Sequence, residues 1–340
     1  MKLKGRSKSS KNIIVLSDIH NGSTTAICSP QPYITDLDTT YKPNKLQKAL
    51  WEVWESIPDG LSKKKSDLVV VNGEPVDGAN KKGLGQQSWT TNLWDQAEDF
   101  KKCMKTHSFD NILFNRGSGY HVQIDGTNIE EIIARNMNAL RYRAYGGEGA
   151  TDNYSFVECY GKIFNFTHHV GFNKWAAYRT TALAREMAGM VFENNKLHKS
   201  DVIVRSHVHY FVHVEFVNTH GCTTPAWKFP DSHLFRGGVA GTTPDIGAVE
   251  FIVEPNGKIE LVKHITELEL KPMVRHIWVK ELNEIMKQKM WKLEVMCGIM
   301  TKLCKMCKGE MDLRRDIENL KLGDHTCMPC WKKEKHDYWQ

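Results

Sequence analysis

The sequence contains no apolar run approaching the roughly 18 residues that a membrane-spanning helix requires, which excludes a helical membrane protein. No secretory leader is expected: the N-terminal MKLKGRSKSSK is basic, but the apolar stretch that follows is only IIVL. The expected location is therefore the cytoplasm. Internal repeats and low-complexity segments are also missing. Most of the chain lacks a charge excess of either sign. Of the net +6, residues 271–340 carry +5, with 15 Lys+Arg against 10 Asp+Glu, which leaves +1 for residues 1–270. The basic character thus belongs to the tail. In a reducing compartment the nine cysteines point to thiols or metal ligands rather than disulfides, and four of them stand in CxxC pairs.

At 340 residues the chain exceeds the roughly 250–300 at which single cores stop growing, so one large domain over 1–270 with an appendage is expected. Three apolar runs, NIIVLSDIH (12–20), DLVVVNGE (67–74) and NILFNRG (111–117), each rise to a polar tip. Between and after them, residues 44–57, 91–107 and 127–145 have helical spacing, the last with Thr127 and Glu130 as a capping box. That order predicts an α/β fold with parallel or mixed strands and helices on the faces. From Tyr154 onward the pattern changes to paired strands. A hairpin turns at Gly161-Lys162, a helix follows over 174–193, then VIVRSHVH and YFVHVEFVN, and a last hairpin turns at Pro255-Asn256-Gly257.

The strand tips carry the chemistry. Asp18 and His20 stand two apart in SDIHNG, so in extended chain both point to one face at a strand's carboxyl end, where open α/β sheets place their ligand sites. Glu74 ends the second strand in NGEPVDG; by itself, an acid there is an ordinary turn residue. His168 ends a later strand in THH, and His207 and His209 repeat the spacing of two in SHVHY. A single histidine at such a place is commonly structural. Two alternating pairs with a strand-terminal acid form a set of imidazoles and carboxylates suited to Mn, Fe or Zn.

In this order, SDIH, NGEPVDG, NRGSGYH, THH and SHVH resemble the motifs of the calcineurin-like metallophosphoesterase family over roughly residues 12–265. NRGSGYH resembles the variant of the third motif found in phage-type members. The resemblance implies a four-layer α/β/β/α sandwich with a dinuclear site held by Asp18, His20, Glu74, His168, His207 and His209. Glu74 takes the place of the acid that bridges the metals, and Asp77 supports the turn. Ser118 stands where an Asn ligand is usual, with Asn115 as the other possible ligand. His121 takes the part of the catalytic histidine that protonates or stabilises the leaving oxygen. Arg116 beside it is placed to clamp phosphate or to make a surface ion pair, and His169 and His213 are structural or support the ligands. Two such metals supply a hydroxide at neutral pH and hold a phosphate oxygen for in-line displacement.

The tail carries a separate signal. Cys304, Cys307, Cys327 and Cys330 form C-x2-C-x19-C-x2-C, the spacing of a structural Zn site, with Cys297 and His325 as nearby alternatives. Before them a helix over 271–298 is expected as a linker, with an apolar stripe through Trp278, Leu282, Met286, Met290 and Leu293. Residues 299–340 then form a small zinc-binding module. Its last residues, WKKEKHDYWQ, mix Lys with Trp and Tyr, a composition compatible with nucleic acid. The leading expectation is a metal-dependent phosphodiesterase or nuclease acting on nucleic acid, with two divalent ions and one structural Zn. A phosphomonoesterase acting on a small molecule or phosphoprotein, and a non-catalytic binding protein with a weakened metal site, are the alternatives.

Overall fold

Two six-stranded sheets share one apolar core, and helices cover their outer faces. The computed structural model describes residues 2–268 apart from 4–8, 32, 35–37, 62–65, 81–84, 108, 110, 125, 145–146, 193–198, 217–218 and 233–243. The expected linker helix over 271–298 and the thiols Cys304, Cys307, Cys327 and Cys330 lie outside the described residues.

The first sheet is built on β1 (Lys11–Leu16), β2 (Leu68–Asn72), β3 (Ile112–Asn115) and the short β4 (Thr151–Asp152), all mutually parallel. The second holds β5 (Ser155–Cys159), β6 (Lys162–Phe166), β7 (Val202–Arg205), β8 (Val212–Phe216) and β9 (Thr219–Thr223), with Lys2–Leu3 at one edge. The long hairpin of β10 (Ile246–Val253) and β11 (Ile259–Thr266) returns to the first sheet. The orders are β4-β3-β2-β1-β10-β11 and Lys2–Leu3, then β5-β6-β7-β9-β8. In the second sheet β6, β7 and β9 run parallel, and both β5–β6 and β8–β9 are antiparallel.

Period-2 alternation on β1 and β2 divides their side chains between two cores. Ile13, Val15, Leu68 and Val70 meet Val157, Phe164, Val202 and Val204 from the other sheet. Ile14, Leu16, Val69 and Val71 face the helices α1 (Lys45–Gly60), α2 (Leu93–Lys105) and α3 (Ile129–Asn136). On the far side, Leu183 and Met187 of α4 (Thr181–Phe192) pack on Ile203. Among the described residues no helix is long and apolar enough to cross a membrane.

Three expectations about helices require correction. The helix expected over 127–145 ends at Asn136, because residues 142–144 and 147–149 pair as a small antiparallel ribbon. Its cap is Asn128, whose side chain accepts from Glu131 N, and not the Thr127–Glu130 box. The helix expected over 174–193 is a one-turn 3-10 segment, Ala176–Tyr178, followed by α4.

Candidate metal centre

The parallel strands of both sheets deliver their carboxyl ends to one place. Asp18 and His20 follow β1, Glu74 and Asp77 follow β2, Ser118 and His121 follow β3, His168 follows β6, and His207 and His209 follow β7. The β1 and β2 tips interlock through backbone bonds from Asp18 N to Gly73 O (3.2 Å) and from Ile19 N and His20 N to Glu74 O (2.9 and 3.0 Å). Asn72 joins the sheets at this end, its Nδ2 donating to Ser206 Oγ (2.7 Å) and to Thr167 O (3.1 Å).

The expected extended geometry at the tips is replaced by left-handed backbone. Asp18, His20, Glu74, His207 and His209 have φ of 50°, 51°, 57°, 73° and 56°. Non-glycine residues in this region carry local strain, which is characteristically stored at functional sites. Here it turns successive strand-end side chains inward, a result that period-2 reasoning reached by a different geometry.

All six expected ligands come together. Glu74 Oε2 lies 2.8 Å from His20 Nε2, and its Oε1 lies 3.1 Å from His168 Nε2 and 4.0 Å from His207 Nδ1. Asp18 Oδ1 is 3.3 Å from His209 Nε2, 3.9 Å from His168 Nε2 and 4.0 Å from His20 Nε2. The other Asp18 oxygen accepts from His207 N at 3.1 Å. Asp18 Oδ1, His20 Nε2 and His168 Nε2 are buried and make no hydrogen bond. Buried polar atoms that face only the opposing charges of their own cluster, without well-formed hydrogen bonds, are costly, and three aimed at one spot fit a cation. The rings are also held as metal-ligating histidines are held, by the nitrogen turned away from the centre. His20 Nδ1 is 3.1 Å from Asp77 Oδ1, and His168 Nδ1 is 2.7 Å from Asn72 O.

Electrostatics point the same way. Burial works to lower the His168 imidazole, but Glu74 and Asp18 outweigh it and raise it to about 10. Burial works to raise the Asp18 carboxyl, and His209 and His168 outweigh it and hold it at about 2. The two carboxylates recruit positive charge to their shared centre, either as protons on imidazole or as a cation in their place. Burial lowers His207 to about 4, which leaves a neutral imidazole fit to ligate at pH 7.

Around this set the other expected residues divide. Ser118 faces it, its hydroxyl and its N–H (3.2 Å) both donating to Glu74 Oε1. Asn115 does not, because its Nδ2 donates to Asn72 Oδ1 (2.8 Å) and its Oδ1 accepts from Ser155. His121 stands edge-on to His20, centroids 4.7 Å apart, with Nδ1 2.6 Å from Asp77 O, so Nε2 is the nitrogen left for the site. Burial first, then His20, lowers it to about 4. The Arg116 Nε hydrogen bond goes to Thr151 Oγ1 (2.9 Å) and not to a member of the cluster. His169 packs on His168 and His207, whereas His213 stacks on His220 beside Glu215 in a separate exposed group.

Two residues of the site, Lys228 and Glu130, are not among the site residues expected from the sequence. Lys228, buried, donates to Asp77 Oδ1 at 2.7 Å, so one carboxylate oxygen is shared by Lys228 and His20. Asp77 therefore orients His20, a role beyond turn support. Glu130, also buried, accepts from Glu74 N (3.1 Å) and Gly117 N (3.0 Å) and binds the second and third tips together. Burial raises its carboxyl to about 7.

No protein-family model matches this chain, and no curated protein matches it. Among solved structures it is similar to a predicted phosphoesterase from Streptococcus pneumoniae, at 12% identity over 78% of this chain and 95% of that one, TM-score 0.32. It is similar to an archaeal phosphodiesterase at 11% identity over 75% and 99%, TM-score 0.35. A third is Vps29 from Entamoeba histolytica, complexed with zinc, at 10% identity over 74% and 99%, TM-score 0.31. At these scores no activity passes from them to this chain, and the site stands on its own geometry.

Proposed function

We propose that this chain is a divalent-metal-dependent phosphoesterase of the calcineurin-like type, with that family's four-layer sandwich, acting on phosphodiesters. The observation that carries this reading is the two-sided Glu74 carboxylate. One oxygen faces His20, the other faces His168, and three buried atoms around it lack hydrogen bonds. Asp18, His20, Glu74 and His209 would hold one ion, and Glu74, His168 and His207 a second, with Ser118 donating to Glu74 Oε1. Such ions, when bound, lower the pKa of a water towards ~7 and offset phosphate charge. The chain's own groups do the positioning. Asp77 and Lys228 fix the His20 ring, the Asn72 carbonyl fixes His168, and Glu130 holds the Glu74 and Gly117 turns. His121, whose Nδ1–H is given to the Asp77 carbonyl, presents Nε2 to hold or transfer a proton at the leaving oxygen.

The test is hydrolysis of bis(4-nitrophenyl) phosphate beside 4-nitrophenyl phosphate, with Mn²⁺ and metal analysis. Diester turnover is expected, with Asp18→Ala and His209→Ala each abolishing it and Glu74→Gln lowering metal content as well as rate. More than about a tenth of the activity left in either alanine variant, under ~1.4 kcal/mol of barrier, would remove the assignment. Turnover of the monoester alone would replace the diester reading. Bound metal without any turnover would make this a binding protein.

A further inference from the structure

Directly after His169 the chain runs through VGFNKWAAYRTTALAR, residues 170–185. Three of its aromatic side chains stand in solvent, Phe172 at 49%, Trp175 at 64% and Tyr178 at 58% exposure. Six large hydrophobic residues are exposed among the described residues, and half of them fall within these seven positions. The same stretch carries three cations, Lys174, Arg179 and Arg185, and no acidic residue. A patch that is aromatic and of one charge sign is not a random surface sample.

This segment is fastened to the metal centre. Val170 packs with Val208 and Tyr210, the residues that flank and separate His207 and His209, with Ala182 closing the cluster. The Phe172 ring lies 6.4 Å from Tyr210, and the Arg179 guanidinium sits 4.5 Å over the same ring. Lys174 Nζ is 5.4 Å from the Trp175 centroid. The loop's root is therefore the SHVHY strand tip, and its exposed rings begin three residues beyond His169, which itself packs on His207 at 4.7 Å.

We propose that the Phe172–Tyr178 loop is a stacking platform for single-stranded nucleic acid, which holds unpaired bases while the adjoining backbone reaches the Asp18–His209 centre. Exposed rings interleaved with cations match a polymer that alternates π-faces with phosphates. A duplex keeps its π-faces stacked inside and offers the rings nothing. The platform's link to catalysis rests on the phosphoesterase reading; its binding of single strands does not.

The experiment uses the full chain in EDTA with single-stranded oligonucleotides carrying 4-thiothymidine, or 4-thiouridine for the RNA arm, and maps photo-cross-links by peptide mass spectrometry. Cross-links are expected within residues 170–180 in one arm or both. Trp175→Ala/Tyr178→Ala, at two exposed positions, should raise the oligonucleotide Kd at least tenfold, and Trp175→Phe/Tyr178→Phe should largely restore it. Turnover of bis(4-nitrophenyl) phosphate should stay within twofold in both variants. Cross-links confined to other segments, a Kd change under twofold, or an equal loss of heparin binding would overturn the platform. Absence of ester turnover with cross-links in the loop would instead leave the platform standing and remove the phosphoesterase reading.

Discussion

Gly117 leaves open the space through which the Glu74 side chain runs: a Cβ at residue 117 would lie 2.5 Å from Glu74 Cγ and 2.6 Å from its backbone nitrogen. A glutamate reaches one methylene further than an aspartate would. In this chain the missing side chain at Gly117, with its N–H drawn to Glu130, makes room for the longer acid. Gly117→Ala is therefore expected to displace Glu74, costing about 1–3 kcal/mol in stability as overpacking does. Turnover and metal content should both fall, turnover by tenfold or more. Intact metal stoichiometry and rate in a folded Gly117→Ala protein would show that Glu74 is not the bridge.

Much of this site was legible because the signals were local. Each strand ended in a residue type with its own chemistry, and β1, β2 and β7 were visible as short continuous apolar runs. Lys228 and Glu130 were not legible for the opposite reason: their meaning comes from partners 151 and 56 residues away. Glu130 also carries a local signal that the fold overrides. Thr127 and Glu130 have the spacing of a capping box, but Asn128 takes the cap one residue later, and that shift of register turns Glu130 inward to the Glu74 and Gly117 turns. Adjacency in sequence leaves Arg116 open between a phosphate clamp and a surface ion pair, and the fold gives its Nε a third partner, Thr151 Oγ1.

Lys228 yields the second prediction. Its ammonium and the Asp77 carboxylate form a buried pair, and removing one partner strands the other charge, which typically costs about 3–5 kcal/mol. Lys228→Met should lower unfolding free energy by that order in urea titration. Asp77→Asn added to it should recover part of the loss, since a neutral amide is cheaper to bury than an unpaired carboxylate. Activity should remain low in the double variant, because the His20 ring loses its carboxylate. A Lys228→Met protein as stable and active as the parent would mean that His20 is oriented without this pair.

A third prediction concerns the CxxC pairs, on the spacing of their thiols alone. A closed four-thiolate Zn site offers no coordination position to substrate, and folding of so small a unit is tied to its metal. Cys327→Ser should release about one Zn per chain, measured by metal analysis. Hydrolysis of bis(4-nitrophenyl) phosphate should be preserved. Loss of that hydrolysis with the sandwich still folded would show that the tail completes the active site.

The last prediction is a pH dependence away from the metal centre. His107 lies in an apolar setting, its ring 4.8 Å from Trp54 and 5.3 Å from Phe109, and its Nε2 is buried without a hydrogen bond. Burial alone lowers its imidazole from the ordinary 6.5 to about 4. Above pH 6.5 the ring is neutral whether the chain is folded or unfolded, and it contributes no pH dependence. Between about 6.5 and 4 the unfolded chain takes up a proton that the folded one refuses, so stability falls with pH at up to roughly 1.4 kcal/mol per unit. Below about 4 both states are protonated and the loss levels off, at roughly 3 kcal/mol. His107→Phe, which keeps an aromatic ring against Trp54, should abolish this contribution. The difference in unfolding free energy between parent and variant, measured by urea titration at pH 7, 5.5 and 4.5, should then shift steadily in the variant's favour as pH falls. A difference that is flat with pH would mean that His107 keeps its ordinary affinity for protons in the folded chain.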